Sequence, residues 1–248
     1  MSDIKIDNLK TKVAQKIKPF IEEIINQYPS NLHSIHIVGS AITEDFDEKS
    51  SDINSIVVLK QMDLKFVELI APFGKRYKKQ GIAAPLIMTP DYIQRSLDVF
   101  PVEFLNFKMI HETLYGEDIL NDIEIDLSDL RHQCEREIKT KLIGLRQGYI
   151  SSEGDIKIIA ENIMSYITGY IPLFRGIIFL MGKEPPVKKQ EVLTDLSANT
   201  GINMDILKKV FDIKKGALKL SKHEIDTVFE EYYKTTEEIS KKIDGHQI

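Results

Sequence analysis

The sequence predicts an α+β protein, with a small mixed sheet and its helices over residues 1–125 and an all-α helical bundle over residues 126–248. Three observations lead there. Short apolar runs alternate with amphipathic ones between residues 30 and 110, the pattern of a sheet crossed by helices. After Leu127 the chain changes to long helical periodicity with short breaks. At 248 residues and 42% hydrophobic, it has apolar material enough for a core in each part.

The elements follow in order. Residues 9–28 place Val13, Ile17, Phe20, Ile21, Ile24 and Ile25 at helical spacing, and Pro29-Ser-Asn ends that helix. Apolar runs at 34–38 and 53–59 predict two strands. Residues 63–80 read as a helix and 84–88 as a short strand. Pro90 opens another helix from its first turn, and residues 99–107 contain a further strand. Beyond residue 127, Ser128 is the expected N-cap of a long helix. Residues 156–181 form a second, more apolar one, and Gly182-Lys-Glu-Pro-Pro186 is a break. Three shorter helices are expected over 188–199, 204–211 and 223–243.

Composition narrows the function. The chain's net charge is −5, and its acidic excess lies in the first half, the second being nearly neutral. An acidic sheet domain argues against a broad nucleic-acid footprint and suits metal ions or a cationic small molecule. The first residues, Met1-Ser-Asp-Ile-Lys-Ile-Asp7, show no basic segment leading into an apolar run, so a secretory signal is not expected. The longest apolar segment, residues 167–181, is interrupted by Gly169, Pro172, Arg175 and Gly176 and is too short to span a bilayer. The lone Cys134 forbids an intrachain disulfide and fits a reducing cytoplasm. With no partner base assigned to it, it reads as an idle thiol.

The chemistry concentrates in one stretch. Ile35-His-Ile-Val-Gly39-Ser40 runs a strand into a Gly-Ser turn, and Ser51-Asp52-Ile53-Asn54 leads into the next strand. Glycine lets backbone come close to a phosphate, and the Ser40 hydroxyl can donate to one. Positions 52 and 54 are two apart on a strand, so both side chains share a face. Two acids there would hold Mg²⁺, which takes oxygen ligands and the phosphates of its own substrate. A third acid from a neighbouring strand would complete a site for in-line displacement. Glu103, an acid within the apolar run Pro101-Val-Glu-Phe-Leu-Asn-Phe, is the natural candidate.

Gly39-Ser40, Asp52-Ile-Asn54 and Pro101-Val-Glu103 resemble the pattern of the DNA polymerase β-type nucleotidyltransferase superfamily. Leu114-Tyr-Gly-Glu-Asp-Ile-Leu120, with the helical bundle behind it, is similar to the aminoglycoside-nucleotidyltransferase-like branch. The resemblance implies a nucleotidyltransferase-like domain over residues 1–125 that binds NTP and Mg²⁺, with the helical domain helping to select the acceptor. It implies that Asp52 is a metal ligand, Glu103 a metal ligand or the acceptor's base, and Gly39 and Ser40 the triphosphate holders. Asn54 departs from the pattern: its amide oxygen can touch metal or nucleotide but adds no charge. Loss of that charge weakens both Mg²⁺ binding and transition-state stabilisation.

Other signals have simpler explanations. Asp45, Asp47 and Glu48 read as a solvated loop. Lys75-Arg-Tyr-Lys-Lys79 ends a helix, where cations suit the dipole, and Lys214, Lys215, Lys219 and Lys222 are read the same way. His33 and His36 fall on opposite sides of a strand and do not pair as metal ligands. His111, His132 and His223 have no partner visible in sequence. Met164, Tyr166, Tyr170 and Phe174 at helical spacing read as core. No Arg is followed at four to six residues by His, which sets aside a helical ribonuclease of that type.

Three readings stand. The first is transfer of a nucleoside monophosphate from Mg²⁺-bound NTP to a hydroxyl of a small molecule or protein. The second is a nucleotide-binding pseudo-enzyme or regulatory module marked by Asn54. The third is an interaction protein whose bundle binds a partner or self-associates through residues 156–181.

Overall fold

Four strands form one mixed sheet in the order β3-β2-β1-β4, namely β1 (Leu32–Val38), β2 (Asn54–Leu59), β3 (Leu86–Met88) and β4 (His111–Gly116). The computed structural model describes residues 4–49, 51–167, 169–216 and 224–246. β1 pairs antiparallel with β2 and with β4, while β3 runs parallel to β2. That parallel pair needs a crossover, supplied by α2 (Leu64–Lys78). The α+β mixed-sheet architecture predicted for this part is the one observed.

Both faces of the sheet are covered, which is why β1 and β2 read as nearly continuous apolar runs. On one face Ile35, Ile37, Val57, Leu59 and Leu114 pack against Val13, Ile17, Ile21 and Ile24 of α1 (Thr11–Gln27) and Phe66 and Ile70 of α2. On the other, Val38, Ile56 and Val58 meet Met88, Ile93, Phe104, Leu120 and Ile123. Ile93 belongs to α3 (Pro90–Arg95), where Thr89 accepts a hydrogen bond from the Tyr92 N–H and Pro90 occupies the first turn.

The pairing register shifts twice in ways a strict alternation misses. The β1–β2 register passes over His33, and the β1–β4 register passes over Leu114. Each acts as a bulge that puts neighbouring residues on one face. So Leu32, although an even number of residues from His36, lies in the same core as Ile35.

Residues 99–107 do not contain the expected strand. They carry the start and most of α4 (Pro101–Met109). Pro101 sits at the first helical position, where its fixed φ is already helical and its missing N–H goes unused. The strand of this region is β4, immediately downstream, and its bulge obscures the alternation.

The chain divides into two compact units. One holds the sheet and runs to Ile125; the other begins at Asp126 and includes Val99–Val102. In the second unit α5 (Leu127–Ser151) buries Leu130, Cys134, Ile138, Leu142 and Leu145 along one stripe. Its cap is Asp126, two residues before the expected Ser128, accepting hydrogen bonds from the Ser128 and Asp129 N–H groups. α6 (Ile156–Tyr166) and α7 (Tyr170–Leu180) replace the single helix expected over 156–181, with Gly169 in the left-handed region as the break. Tyr170 and Phe174 are fully buried, as expected of core, whereas Met164 and Tyr166 are only half-buried. α8 (Lys189–Thr200), α9 (Asp205–Lys214) and α10 (Ile225–Asp244) complete the unit. The buried Arg175 guanidinium donates to the carbonyls of Pro186 and Val187, tying the Gly182–Pro186 break to α7. His223, Lys219 and Lys222 lie outside the described residues. Among the described residues no single helix is long and apolar enough to cross a membrane.

Candidate functional site

Val38 lies opposite Asn54 in the β1–β2 ladder. β1 leaves the sheet there through a short 3₁₀ turn, Gly39–Ile42, and the antiparallel β2 enters at the same end. The Gly39-Ser40 turn and the Asp52–Asn54 segment are thus brought side by side by the pairing itself. Gly39 has φ of 76°, and a Cβ added there would meet nothing within 4 Å. The glycine is required by its backbone, and the space above it is open. Its N–H donates to the Ile110 carbonyl at 3.0 Å. Thr43 closes the turn on the Ser40 carbonyl through both its N–H (2.9 Å) and its hydroxyl (3.1 Å).

Asp52 and Asn54 are both exposed. Between them Ile53 is buried and held on both sides, its N–H donating to Gly81 (2.7 Å) and its carbonyl accepting from Ala83 (3.0 Å). That anchor turns its two neighbours to the opposite face, the one carrying Val38 and Ile56. The Asn54 amide leans on the Asp52 carbonyl at 3.5 Å, a weak contact that leaves Oδ1 directed away from it.

Asp52 also borders an open groove of about 760 Å³. Lys12, Lys16, Lys49, Lys78 and Lys79 line it, against the acids Glu48 and Asp52. Lys12 is engaged by Glu48 at 3.0 Å, so Glu48 of the expected solvated loop has a specific partner. The lysines give Asp52 a cationic surround of the kind that attracts phosphate. Gly39, Ser40 and Asn54 do not line this groove. Arg76 and Tyr77, in the basic run ending α2, bind Glu23 of α1.

The third acid is not where the sequence placed it. Glu103 lies exposed in the first turn of α4 rather than on a strand. α4 packs Phe104 against the sheet face that carries Val38 and Ile56. The strands flanking β2, Leu32–Val38 and Leu86–Met88, contain no carboxylate. One acid and one amide fit a single Mg²⁺ that draws its other ligands from phosphates and water. They do not make up the carboxylate set of a two-metal site.

The same sheet face carries a second polar cluster that periodicity and spacing do not reveal. His36, His111 and Asp118 place one ligand atom each within 4.8 Å of one another. His36 is fully buried in mid-sheet, its Nε2 2.8 Å from Ser34 Oγ and its Nδ1 2.9 Å from Thr113 Oγ1. Burial, reinforced by the neighbouring His111, pushes its pKa down to about 4. His111 donates from Nδ1 to the Phe107 carbonyl (2.8 Å) at the end of α4, and its Nε2 lies 2.8 Å from Asp118 Oδ1. Partial burial pushes the Asp118 carboxyl up, but the His111 hydrogen bond and charge together hold it below the usual range. His33 reaches His36 only through the Ser34 hydroxyl. The ring that packs beside His36 is His111 of β4, edge to face. The sequence signal is present in His111-Glu-Thr-Leu-Tyr-Gly-Glu-Asp118 but requires β4 to be recognised as a strand beside β1.

No family model matches the chain, and no curated protein matches it. Among solved structures it is similar to spectinomycin adenyltransferase AAD(9) from Enterococcus faecialis, determined with ATP and spectinomycin. The likeness covers 91% of this chain and 98% of that one, with a TM-score of 0.52 at 11% identity. At that identity it shows the fold: the chain shares the architecture of that enzyme.

Proposed function

We propose that the chain transfers a nucleoside monophosphate from an NTP to a hydroxyl of a small-molecule or protein acceptor. The observation that carries this reading is the Val38–Asn54 pair, which sets the Gly39-Ser40 turn against Asp52 and Asn54 within a nucleotidyltransferase fold. Ser40 donates its hydroxyl to a phosphate oxygen, and Gly39 leaves the approach unobstructed. Asp52 and the Asn54 amide oxygen would hold Mg²⁺, which when bound neutralises charge building on the phosphates. The lysines beside Asp52 add positive potential for the rest of the triphosphate. Glu103, on the helix over the same sheet face, takes the acceptor's proton. Most of the rate then comes from positioning and charge, with little covalent work by the protein.

A second reading is favoured by one specific observation. With Asn54 in place of an acid and no carboxylate on either strand beside β2, the site is equipped to bind a nucleotide better than to turn it over. Calorimetry of each NTP with and without Mg²⁺, on wild type, Asp52→Ala and Asn54→Asp, separates the two when combined with a search for pyrophosphate release. Mg²⁺-dependent binding lost in Asp52→Ala, with pyrophosphate formed on adding hydroxyl acceptors, supports transfer. Binding without turnover, restored as turnover by Asn54→Asp, supports the binding module. No NTP binding at all removes both and leaves the interaction reading.

A further inference from the structure

We propose that His36, His111 and Asp118 form a site for a divalent transition-metal ion, Zn²⁺ in type, separate from the nucleotide site. The case begins with His111. Its Nδ1 faces two carbonyl oxygens, Phe107 at 2.8 Å and Lys108 at 3.0 Å, which can only accept. Nδ1 is therefore a donor nitrogen, which leaves Nε2 facing the cluster. There Asp118 Oδ1 lies 2.8 Å away, a contact made through one proton. A divalent ion would displace that proton, and a backbone carbonyl fixing the distal nitrogen is how metal-ligating histidines are oriented.

His36 supplies the third ligand from the adjacent strand. It pairs with Thr113 in the β1–β4 ladder, two residues along from the Val38–His111 pair, so both rings rise from one sheet face. Their centroids are 6.0 Å apart, edge to face. Each nitrogen of His36 has a hydroxyl beside it, Ser34 or Thr113. A hydroxyl both donates and accepts, so one can turn away while the other holds the remaining ring N–H. Bound Zn²⁺ needs its ligand atoms about 3.3–3.5 Å apart. The cluster now spans up to 4.8 Å, and exposed Asp118, in the loop after β4, has room to adjust.

The donor set decides the metal class. Two imidazoles and one carboxylate suit Zn²⁺ and its neighbours, whereas Mg²⁺ demands oxygen. The three residues grade from fully buried His36 to exposed Asp118, which leaves the fourth position toward solvent. His111 and Asn54 each flank Val38 on opposite sides, about 9–10 Å apart across two strand spacings, too far for a shared ion.

The test is Zn²⁺ titration of the chelator-stripped full chain by calorimetry, with Co²⁺ absorption as a report on ligand geometry. The expected result is one equivalent bound with micromolar or tighter affinity. Asp118→Asn should weaken it about 10- to 100-fold, His111→Ala should abolish it, and Asp52→Ala should leave it unchanged. Circular dichroism establishes that each variant folds. Should His111→Ala fail to fold, the exposed Asp118→Asn decides. Affinity weaker than about 100 µM, or the same affinity in Asp118→Asn as in wild type, overturns the proposal. Binding lost in Asp52→Ala does so as well, because the ion would then belong to the nucleotide site.

Discussion

Val38 pairs with Asn54 on one side and with His111 on the other, so a single buried valine separates the Asn54 amide from the histidine cluster. The sheet end is therefore organised across three strands. The Gly39 turn and Asp52 lie to one side of Val38, and Asp118, reached through the turn after β4, lies to the other. The core beneath is apolar: Ile56, Val58 and Phe104 pack directly below. The row Ser34, His36 and Thr113 enters the core hydrogen-bonded side chain to side chain.

Asn54→Asp places a second carboxylate on the face of Asp52. Two like charges about 7 Å apart in water repel by roughly 0.6 kcal/mol. For a protein of this size that lowers Tm by about 1–3 °C when no divalent ion is present. Millimolar Mg²⁺ is expected to reverse the loss, raising Tm more in the variant than in wild type. Scanning calorimetry with and without Mg²⁺ checks it, and an equal Mg²⁺ response in both proteins would count against a cation site at these residues.

Gly116→Ala is expected to cost about 2–4 kcal/mol. Gly116 has φ of 75°, a conformation costing an L-residue about 1–2 kcal/mol. The added Cβ would also stand 2.1 Å from the His33 carbonyl oxygen, an atom fixed in β1. Because this turn aims the chain back toward His111, the substitution should weaken the Asp118 contact as well. Urea unfolding gives the first effect. The His111 imidazole shift in NMR gives the second, and an unmoved resonance would uncouple the turn from the cluster.

The two central strands and the glycine turn that leaves the first of them are legible in the sequence itself. Residues 35–59 announce two buried strands because both faces of a covered sheet select apolar side chains, and Gly39 and Asp52 stand out against that background. What hides the rest is local. A proline followed by apolar residues looks alike as the start of a strand or a helix, so spacing alone puts Glu103 on the wrong element. The bulge at Leu114 breaks the alternation that would reveal β4, and with β4 unseen, His111 and Asp118 have no visible link to His36. Contacts between residues 36 and 111 depend on strand order, which neither periodicity nor spacing encodes.

Ser55→Ala should be neutral or stabilising, by up to about 1 kcal/mol. The Ser55 hydroxyl is buried against the α1–α2 side of the sheet, opposite Ile37, without a hydrogen-bond partner. An orphaned buried hydroxyl carries a desolvation penalty that its removal relieves. Its neighbour Asn54 faces the other way, so nucleotide affinity should stay as it was. Denaturant unfolding with parallel NTP titration tests this, and a loss above about 1 kcal/mol would mean the hydroxyl is satisfied in solution.

The last prediction concerns acid. His36 titrates near 4 in the folded metal-free protein and near 6.5 when unfolded. Between those values the unfolded chain binds the extra proton, so stability rises with pH across that window. The contribution is fully present above about pH 6.5 and is lost as pH falls toward 4, a total of about 3 kcal/mol. Asp118, also held below its ordinary range, adds a loss of the same sign under more acidic conditions. His36→Gln keeps a polar side chain between Ser34 and Thr113 but cannot titrate here. It should flatten the slope between pH 4 and 6.5 whatever it does to absolute stability. Urea midpoints at half-unit pH steps on chelator-treated protein measure that slope, and parallel curves for wild type and variant would show that His36 is not held neutral by the fold.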